Sequence, residues 1–362
     1  MTSRPRPPSR PGAGSDLPLL APATLVTAAA VPLLAHDGRI EQPLLLVDLE
    51  APPEDVAEAA RAIAASDRVL VGVARAGTPN PHWNSLLAAL DLTLVPAGRG
   101  CDRQETVAVP DPGATALALR AAALANPQAT TVLAGLLRWS GPLDVRAALD
   151  AESLAYSTLL GGPEFAEWLG RRGPRPLPPP APEEPVLLQR EGGELRVTLN
   201  RPRRRNAYGR ELRDALVSAL HLVSWDDSID RVVLDGAGPN FCSGGDLDEF
   251  GTAPDPVTAH LVRTRAGAAL PLYRVADRVE AQLHGACVGA GIELPAYVHR
   301  VVAAPDTRLL LPEIGMGLIP GAGGTVSIPR RIGRWRTLYL AMTGEFLDAE
   351  TALSWGLVDE VR

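Results

Sequence analysis

The sequence HGACVGAGIELP, residues 284–295, sets glycines between an apolar run and the start of a predicted helix. The run that begins at Val279 is predicted to be a strand, and the helix is expected to continue through Glu293. Glycines at such a turn leave backbone N–H groups free, and the positive end of the helix dipole faces the same point. The stretch therefore predicts a binding site for negative charge at a strand end of an α/β fold.

A second glycine-rich stretch, GAGPNFCSGGDLDEF at 236–250, begins where the predicted strand RVVLDG (231–236) ends. Its small residues and tight turn also direct N–H groups beyond the end of a strand. One such turn alone is typical of many βα connections. Two of them can form an oxyanion hole, in which a single donor stabilises the developing oxyanion by about 3 kcal/mol.

Two glutamates accompany these turns. Glu293 belongs to the first stretch, and Glu313 lies in LLLPEIGMGLIPGAGGT (309–325), where leucine, isoleucine and methionine flank it. A carboxyl group in apolar surroundings should have a raised pKa. Each glutamate alone would be an ordinary helix-start or loop residue. Together they indicate general acid–base catalysis, in which one group holds a proton while the other accepts one.

The predicted elements around these stretches alternate as strand, helix and strand, which indicates α/β architecture. The C-terminal half has predicted strands at 195–200, 231–236, 279–285 and 300–305 and a helix at 210–227. The first half repeats this rhythm, with strands at 42–49 and 68–75 and a helix near 53–65. The stretch at 171–185 is rich in proline, as interdomain linkers are. We therefore predict a flexible tail at 1–34, an N-terminal α/β region at 35–170, a linker at 171–185 and a catalytic core at 186–362.

The composition excludes several classes of function. The 362 residues carry a net charge of −7 with both signs interspersed, so no nucleic-acid surface is expected. All 35 basic residues are arginine, which excludes a Schiff-base lysine. Prolines interrupt the apolar run from Leu17 to Ala35, so we expect no membrane helix. Scattered histidines and the separated Cys101, Cys242 and Cys287 predict no metal site and a reducing, cytoplasmic location.

Four stretches follow one another in the order and at the spacing of a known family: FCSGGDLDEF, HGACVGAGIEL, PEIGMGLIPGAGGT and TGEFLDAETALSWGLVDEV. They resemble the signature blocks of the crotonase family, the enoyl-CoA hydratases and isomerases. The resemblance covers about 186–362 and includes NRPRRRNAY (200–208). It implies a crotonase or ClpP-like ββα superhelix in the C-terminal half, which acts on acyl-CoA thioesters.

The resemblance also implies a role for each matching residue. The N–H groups of Gly245 and Ala290 would hold the thioester carbonyl. Glu313 would deliver a proton to Cα and Glu293 would activate the water that adds at Cβ, giving syn hydration of a 2-enoyl-CoA. The candidates for contact with CoA are Arg203, Arg204, Arg205 and Ala207. No cofactor is expected besides the CoA thioester as substrate, and relatives of this kind form trimers or hexamers.

The first half offers a further expectation. Family members continue beyond the GLVDEV block with helices, and 145–174 resembles those helices, with an amphipathic helix, a Gly-Gly break and a shorter second helix. We hypothesise that these helices dock against the core near 309–333. The similarity of 66–98 to 276–306 is either a degenerate crotonase-like copy without the glycines and the acid, or a coincidence.

Three alternatives to hydration stay open. The chain could be an enoyl-CoA isomerase, although the presence of both glutamates favours hydration, because isomerase-type relatives often keep a single acid. It could resemble dihydroxyphenylacetyl-CoA dioxygenase, since such enzymes carry a long region before the core. It could also be a catalytically silent partner subunit that binds acyl-CoA. We expect the acyl pocket to be built from 250–271, and the sequence does not identify the acyl group.

Overall fold

A computed structural model gives the structure of the chain over residues 17–362, with 52, 54, 78, 99–102, 178 and 181 outside the described part. The strands are β1 Leu19–Leu20, β2 Leu44–Asp48, β3 Val69–Val73, β4 Leu92–Pro96, β5 Thr106–Val109, β6 Val186–Glu191, β7 Glu194–Leu199, β8 Arg231–Gly236, β9 Val279–Leu283, β10 Ala286–Val288, β11 Arg300–Ala303, β12 Arg308–Leu310, β13 Leu347–Asp348 and β14 Glu360–Val361.

The helices are α1 Pro22–Ala29, α2 Val56–Ala64, α3 Asn84–Ala89, α4 Pro112–Ala125, α5 Pro127–Trp139, α6 Val145–Leu160, α7 Pro163–Arg172, α8 Arg210–Trp225, α9 Pro256–Ala266, α10 Ala269–Arg274, α11 Ala290–Glu293, α12 Gly324–Thr343 and α13 Ala349–Trp355. Helix α12 is kinked at Gly333. Short 3₁₀ turns occur at Pro81–Trp83, Pro202–Arg204, Leu247–Glu249, Ala276–Arg278, Pro295–Tyr297 and Glu313–Met316.

The first half contains a parallel sheet of five strands in the order β1-β2-β3-β4-β5. All five residues of β3 are buried, as expected for a parallel strand that is covered on both faces. Helices α4 and α5 pack against this sheet. The prediction of an N-terminal α/β region is therefore confirmed.

The predicted flexible tail at 1–34 differs from the structure in its second part. Residues 1–16 lie outside the described residues, whereas 19–29 contain β1 and α1. Leu25 of α1 is fully buried in a cluster that also contains Leu49 and Ile63. This burial offsets the entropy that is lost when the segment is ordered. The prediction of a flexible tail is wrong for 19–29.

The C-terminal half contains a six-stranded sheet in the order β14-β11-β9-β8-β7-β6. Strands β6 and β7 form an antiparallel hairpin, and the remaining neighbours are parallel. A smaller sheet joins β10 and β12 in parallel and β13 in antiparallel. The predicted α/β class of this half is confirmed, and β10 and α11 bring the glycine turn to the edge of the sheets.

Helices α6 and α7 of the first half pack onto the C-terminal half. Helix α6 lies beside α9, where the Ser157 hydroxyl donates to the carbonyl oxygen of Pro256 at 2.8 Å. Helix α7 contacts the turn that begins at Glu313. One cluster of buried apolar residues runs through both halves. The predicted domain boundaries stay a prediction, because both halves share this core.

None of the helices in the described ranges combines the length and apolar character needed to cross a membrane.

Candidate active site

The two glycine-rich turns lie side by side. After β8 the backbone at Cys242 pairs with the backbone at Cys287 of β10 in a single parallel β-bridge. There the Val288 amide donates to the Cys242 carbonyl at 2.9 Å. Gly244 has a φ of +90°, and a Cβ there would lie 2.9 Å from the carbonyl oxygen of Val288. Glycine at this position therefore allows the close approach of the turns. Cys242 and Cys287 are buried free thiols, and Cys101 lies outside the described residues.

Gly245 and Ala290 line one cavity. Ala290 is the first residue of α11, where an amide has no partner within its own helix. Across the described part of the chain, neither amide donates to a protein acceptor. Both N–H groups are therefore available to an oxygen atom of a ligand in the cavity.

Glu293 is buried at the end of α11, and its carboxylate is fixed by the loop before α12. One oxygen, Oε2, accepts from the amides of Ala322 at 2.7 Å and Gly324 at 2.9 Å. The helix that begins at Gly324 adds the positive end of its dipole. The other oxygen, Oε1, is left to face the cavity.

Glu313 approaches the same point from the opposite side. A Cβ on Gly289 would lie 2.7 Å from Oε1 of Glu313 and 3.7 Å from Oε1 of Glu293. The second oxygen of Glu313, Oε2, is buried and has no hydrogen-bond partner among the described residues. The two carboxyl groups thus meet in a small space beside Gly289, the residue before Ala290.

A third glutamate, Glu152 of α6, completes the cluster. Its Oε1 accepts from the Gly323 amide at 2.8 Å, and its Oε2 accepts from the amide and hydroxyl of Thr325 at 2.9 and 2.8 Å. Successive amides from 322 to 325 therefore donate in turn to Glu293 and Glu152. Only 2 % of Glu152 is exposed, so the first half of the chain contributes a carboxyl group to the interior of the site.

Burial raises the pKa of all three carboxyl groups. It raises the pKa of Glu313 to about 8, and the charge of Glu152 adds to this rise. Burial also raises the pKa of Glu293 well above its usual value; the charges of Glu313 and Glu152 add to the effect, and its two amide donors oppose it. The pKa of Glu152 rises to about 7. The cluster therefore retains protons near neutral pH, which acid–base catalysis requires.

The cavity has a volume of about 490 Å³ and is bounded by both halves of the chain. Gly245, Ala290, Glu293 and Glu313 all line it. Its apolar wall includes side chains from α6, α7, α9 and the segment before α9, and among them are Leu149, Leu160, Phe165, Leu169, Phe250 and Val262. Its size and its mostly apolar wall, with a few polar groups, suit an acyl chain.

The four residues predicted to contact CoA lie outside the lining of this cavity. Arg204 is engaged elsewhere, because its guanidinium donates to Asp246 at 2.6 to 3.0 Å and to Asp248 at 2.9 Å. Arg203 and Arg205 are exposed, and their side chains form no hydrogen bond within the described ranges. Ala207 is half-buried, and its carbonyl oxygen accepts from the Gly209 amide at 2.9 Å.

Sequence reasoning named neither Glu152 nor Arg263, which both line the cavity. One signal for Glu152 was available: it falls on the same face of α6 as the buried Ala148 and Leu159. A carboxylate on the buried face of a helix is unusual and indicates that it has a specific hydrogen-bonding or charged partner. Arg263 lies within the range expected for the acyl pocket, but its neighbours belong to α6 and could not be read from that range.

Comparisons with known proteins agree with this geometry. The sequence pattern of the family "Enoyl-CoA hydratase/isomerase" matches residues 189–362. The chain is 36 % identical to 1,2-epoxyphenylacetyl-CoA isomerase of Escherichia coli (strain K12), over 49 % of this chain and 69 % of that protein. It is 34 % identical to 2,3-dehydroadipyl-CoA hydratase of the same organism, over 49 % of this chain and 68 % of that protein.

Among solved structures, an enoyl-CoA hydratase from Thermoplasma volcanium GSS1 is 32 % identical, with a TM-score of 0.46, and the match covers 50 % of this chain and 72 % of that one. The match in sequence, over more than two thirds of the relatives' length, decides the assignment. The chain belongs, through its C-terminal half, to the enoyl-CoA hydratase/isomerase family, the crotonase family.

Proposed function

We propose that this protein hydrates a 2-enoyl-CoA thioester by syn addition of water. The observation that carries the proposal is the meeting of Glu293 and Glu313 beside Gly289, next to two free backbone amides. A water molecule held between two carboxyl groups can be activated by one of them while the other supplies a proton. Addition of water to a conjugated double bond needs both steps.

The amides of Gly245 and Ala290 would bind the thioester oxygen. Addition at Cβ moves negative charge onto this oxygen, so the intermediate resembles an enolate. Two N–H donors fixed by the turns stabilise that charge without reorganisation, and loss of one such donor costs about 3 kcal/mol in the transition state. Their lack of protein acceptors supports this role.

The surroundings of the two glutamates suggest which one acts as base. Burial raises the pKa of both, but the amides of Ala322 and Gly324 favour the charged form of Glu293, whereas Oε2 of Glu313 has no donor in the described part of the chain. We give the two hydrogen bonds to Glu293 more weight than the pKa shifts, because the two carboxyl groups titrate together. Glu293 would therefore take a proton from water as the hydroxyl adds at Cβ. Glu313, with its pKa raised to about 8 by burial, would give its proton to Cα.

Isomerisation is the second candidate. A relative that is 32 % identical over 180 residues is a trans-2-decenoyl-[acyl-carrier-protein] isomerase. Isomerisation of an enoyl thioester moves a proton between two positions of one acyl chain without adding water. The same oxyanion site would serve both reactions, because both pass through an enolate-like species. The two reactions differ in whether the conjugated double bond is consumed.

The test follows the absorbance of crotonyl-CoA and longer 2-enoyl-CoA thioesters with the wild-type protein. Loss of the enoyl chromophore in the wild type, with a large decrease in Glu293→Gln and in Glu313→Gln, supports hydration. Glu350→Gln, a change of an exposed glutamate in α13, is the control that should keep wild-type activity. Consumption of 3-enoyl-CoA with gain of the chromophore indicates isomerisation, and binding without turnover indicates a silent acyl-CoA-binding subunit.

We further propose that Arg203 and Arg205 meet the phosphates of CoA, because both are exposed and form no hydrogen bond within the described ranges. Arg204 is less available, since it is bound to Asp246. Replacement of both Arg203 and Arg205 by neutral residues should raise the KM for enoyl-CoA. It should leave unchanged the KM for the matching pantetheine thioester, which lacks the nucleotide. The trimeric or hexameric assembly, the cytoplasmic location and the independence from a cofactor stay predictions.

We also propose that α6 and α7 occupy the place of the helices that follow the core in relatives. The contacts of α6 with α9 and of α7 with the turn at Glu313 support this proposal. A chain that lacks residues 145–172 should then lose enoyl-CoA binding, while the same protein with the two helices supplied as a separate peptide should regain part of it.

A further inference from the structure

The cavity contains a cation that the proposed hydration does not use. Arg263 of α9 lines the cavity and lies between α9 and α6. Its Nε donates to the Ser153 hydroxyl at 3.1 Å, and its Nη2 donates to the Ser153 carbonyl at 3.2 Å and to the Ser157 hydroxyl. These neutral acceptors fix the plane of the guanidinium. They leave Nη1 without an acceptor among the described residues.

Arg263 differs in this respect from the other arginines around the cavity. Arg213 and Arg265 form ion pairs with Asp214 and Asp150, and Arg146 and Arg210 are exposed to solvent. Arg263 is half-buried and forms no ion pair with a carboxylate in the part of the chain that the structure describes. Burial also lowers its pKa. The carboxyl group of Glu152 acts on Arg263 electrostatically but forms no ion pair with it. A cation that is partly removed from water without a directly bonded carboxylate is costly, and an anionic ligand group would offset this cost.

The position of Arg263 relative to the glutamates indicates which part of a thioester it would meet. Its guanidinium lies over the ring of Tyr156, 4.4 Å from the ring centroid. The same ring packs against Gly321, where an added Cβ would lie 2.4 Å from ring carbons. Gly321 precedes Ala322, whose amide holds Glu293. A single aromatic ring therefore separates Arg263 from the loop that fixes the proposed base.

This short separation argues against the phosphates of CoA as the ligand of Arg263. The whole pantetheine arm lies between those phosphates and the thioester carbonyl, whereas Arg263 is one side chain away from the reacting end. The apolar wall of α9 and α6, with Val262 and Leu149, suits methylene groups between the two points. An acyl chain that ends in an anion would fill both the apolar wall and the site of the cation.

We propose that Arg263 is a specificity-determining residue, which binds a carboxylate at the far end of the acyl chain and makes diacid enoyl-CoA thioesters the preferred substrates. The inference rests on the proposed function, because it requires the acyl chain to enter this cavity. Nη1 of Arg263 has no acceptor among the described residues and can donate to a carboxylate in a charge-assisted hydrogen bond. Ser153 and Ser157 already hold Nε and Nη2, so the guanidinium is fixed in place and little entropy is lost on binding.

The test measures binding of saturated thioesters, which cannot be hydrated. Calorimetry compares adipyl-CoA with hexanoyl-CoA and glutaryl-CoA with valeryl-CoA, pairs that have the same number of carbons and the same CoA. We expect the wild type to bind the diacid thioester at least tenfold more tightly. Arg263→Met should remove that preference and leave the affinity for the monoacid within about twofold, whereas Arg274→Met, a change of an exposed arginine outside the cavity lining, should alter neither.

The outcomes separate this inference from the proposed function. Equal affinity of the wild type for both members of each pair overturns the inference, while turnover of neutral enoyl-CoA thioesters would leave the proposed function intact. An equal loss of both affinities in Arg263→Met also overturns it, because contact with the CoA phosphates or damage to the fold would have that effect. Failure of the wild type to bind any of the four thioesters overturns both.

Discussion

Replacement of Glu152 tests whether the first half of the chain helps to build the site. In Glu152→Ala, the amides of Gly323 and Thr325 and the hydroxyl of Thr325 lose their acceptor in a buried environment. Each buried donor without a partner costs about 1–3 kcal/mol, so the free energy of unfolding should fall by about 4 kcal/mol. Glu152→Gln keeps one carbonyl oxygen and should cost about 1–2 kcal/mol.

The same substitutions should change catalysis through Glu293. The amides that fix Glu293 alternate along the chain with those that bind Glu152, so a shift of this loop displaces the proposed base. A displacement of about 1 Å lowers a rate by roughly 100-fold, which we expect for kcat of Glu152→Ala. In Glu152→Gln the charge that raises the pKa of Glu313 is removed. The alkaline limb of the rate profile should therefore move to lower pH.

The assays are urea unfolding and the pH dependence of enoyl-CoA hydration. The titratable groups that interact with Glu152 are Arg263, Glu293, Glu313, Tyr156 and Tyr297, and none of them changes in these variants. Glu164→Gln is a matched control, because this carboxylate of α7 accepts from the amides of Gln128 and Ala129 but does not line the cavity. It should lower stability without moving the pH profile. An alanine variant within 1 kcal/mol of wild type, or an unmoved alkaline limb in Glu152→Gln, would refute the reasoning.

Three further predictions concern the carboxyl cluster. Hydration by the wild type should decline as pH rises through about 8, where Glu313 loses the proton it donates, and a profile that is flat from pH 7 to 9 would contradict this. Glu152 alone should lower the free energy of unfolding by up to about 3 kcal/mol between pH 5 and 8, because its folded-state pKa is raised from 4.5 to about 7. The folded chain holds this proton more tightly, so the stabilisation is lost as pH rises through 7, and the raised pKa values of Glu293 and Glu313 add to the decrease. Urea unfolding of the wild type at both pH values should show a decrease of at least this size. Gly289→Ala should lower kcat at least 100-fold, because the φ of Gly289 is +49° and the new Cβ would lie 2.7 Å from Oε1 of Glu313. Gly38→Ala is the control, at a left-handed position with open space around it. It should lower the free energy of unfolding and leave kcat unchanged.

The parts of the site that could be predicted from the sequence are those set by local pattern. Glycines after a strand require a tight turn whatever lies around them, so the two turns, α11 and Glu293 followed from spacing. Glu313 could be recognised by its apolar neighbours in the chain. Its meeting with Glu293 was an expectation from resemblance, and the structure brings the two together beside Gly289.

The contributions of Glu152 and Arg263 depend on contacts between distant segments. Glu152 binds Gly323 across 171 residues, and Arg263 binds Ser153 across 110. Periodicity identifies a buried face of α6 but not the element that it meets. The tail illustrates the same limit: the prolines near Leu25 suggested disorder, yet burial against the first sheet orders α1.

The alternating hydrogen bonds from residues 322–325 have a consequence for synthesis of the chain. During translation α6 emerges long before the loop that it will bind, so the Glu152 carboxylate must stay in water until the segment around Gly323 and Thr325 leaves the ribosome. The catalytic loop can then acquire its final shape only on a preformed surface. A ribosome paused shortly before residue 322 would thus hold a chain in which α6 has been made but the proposed base is not yet fixed.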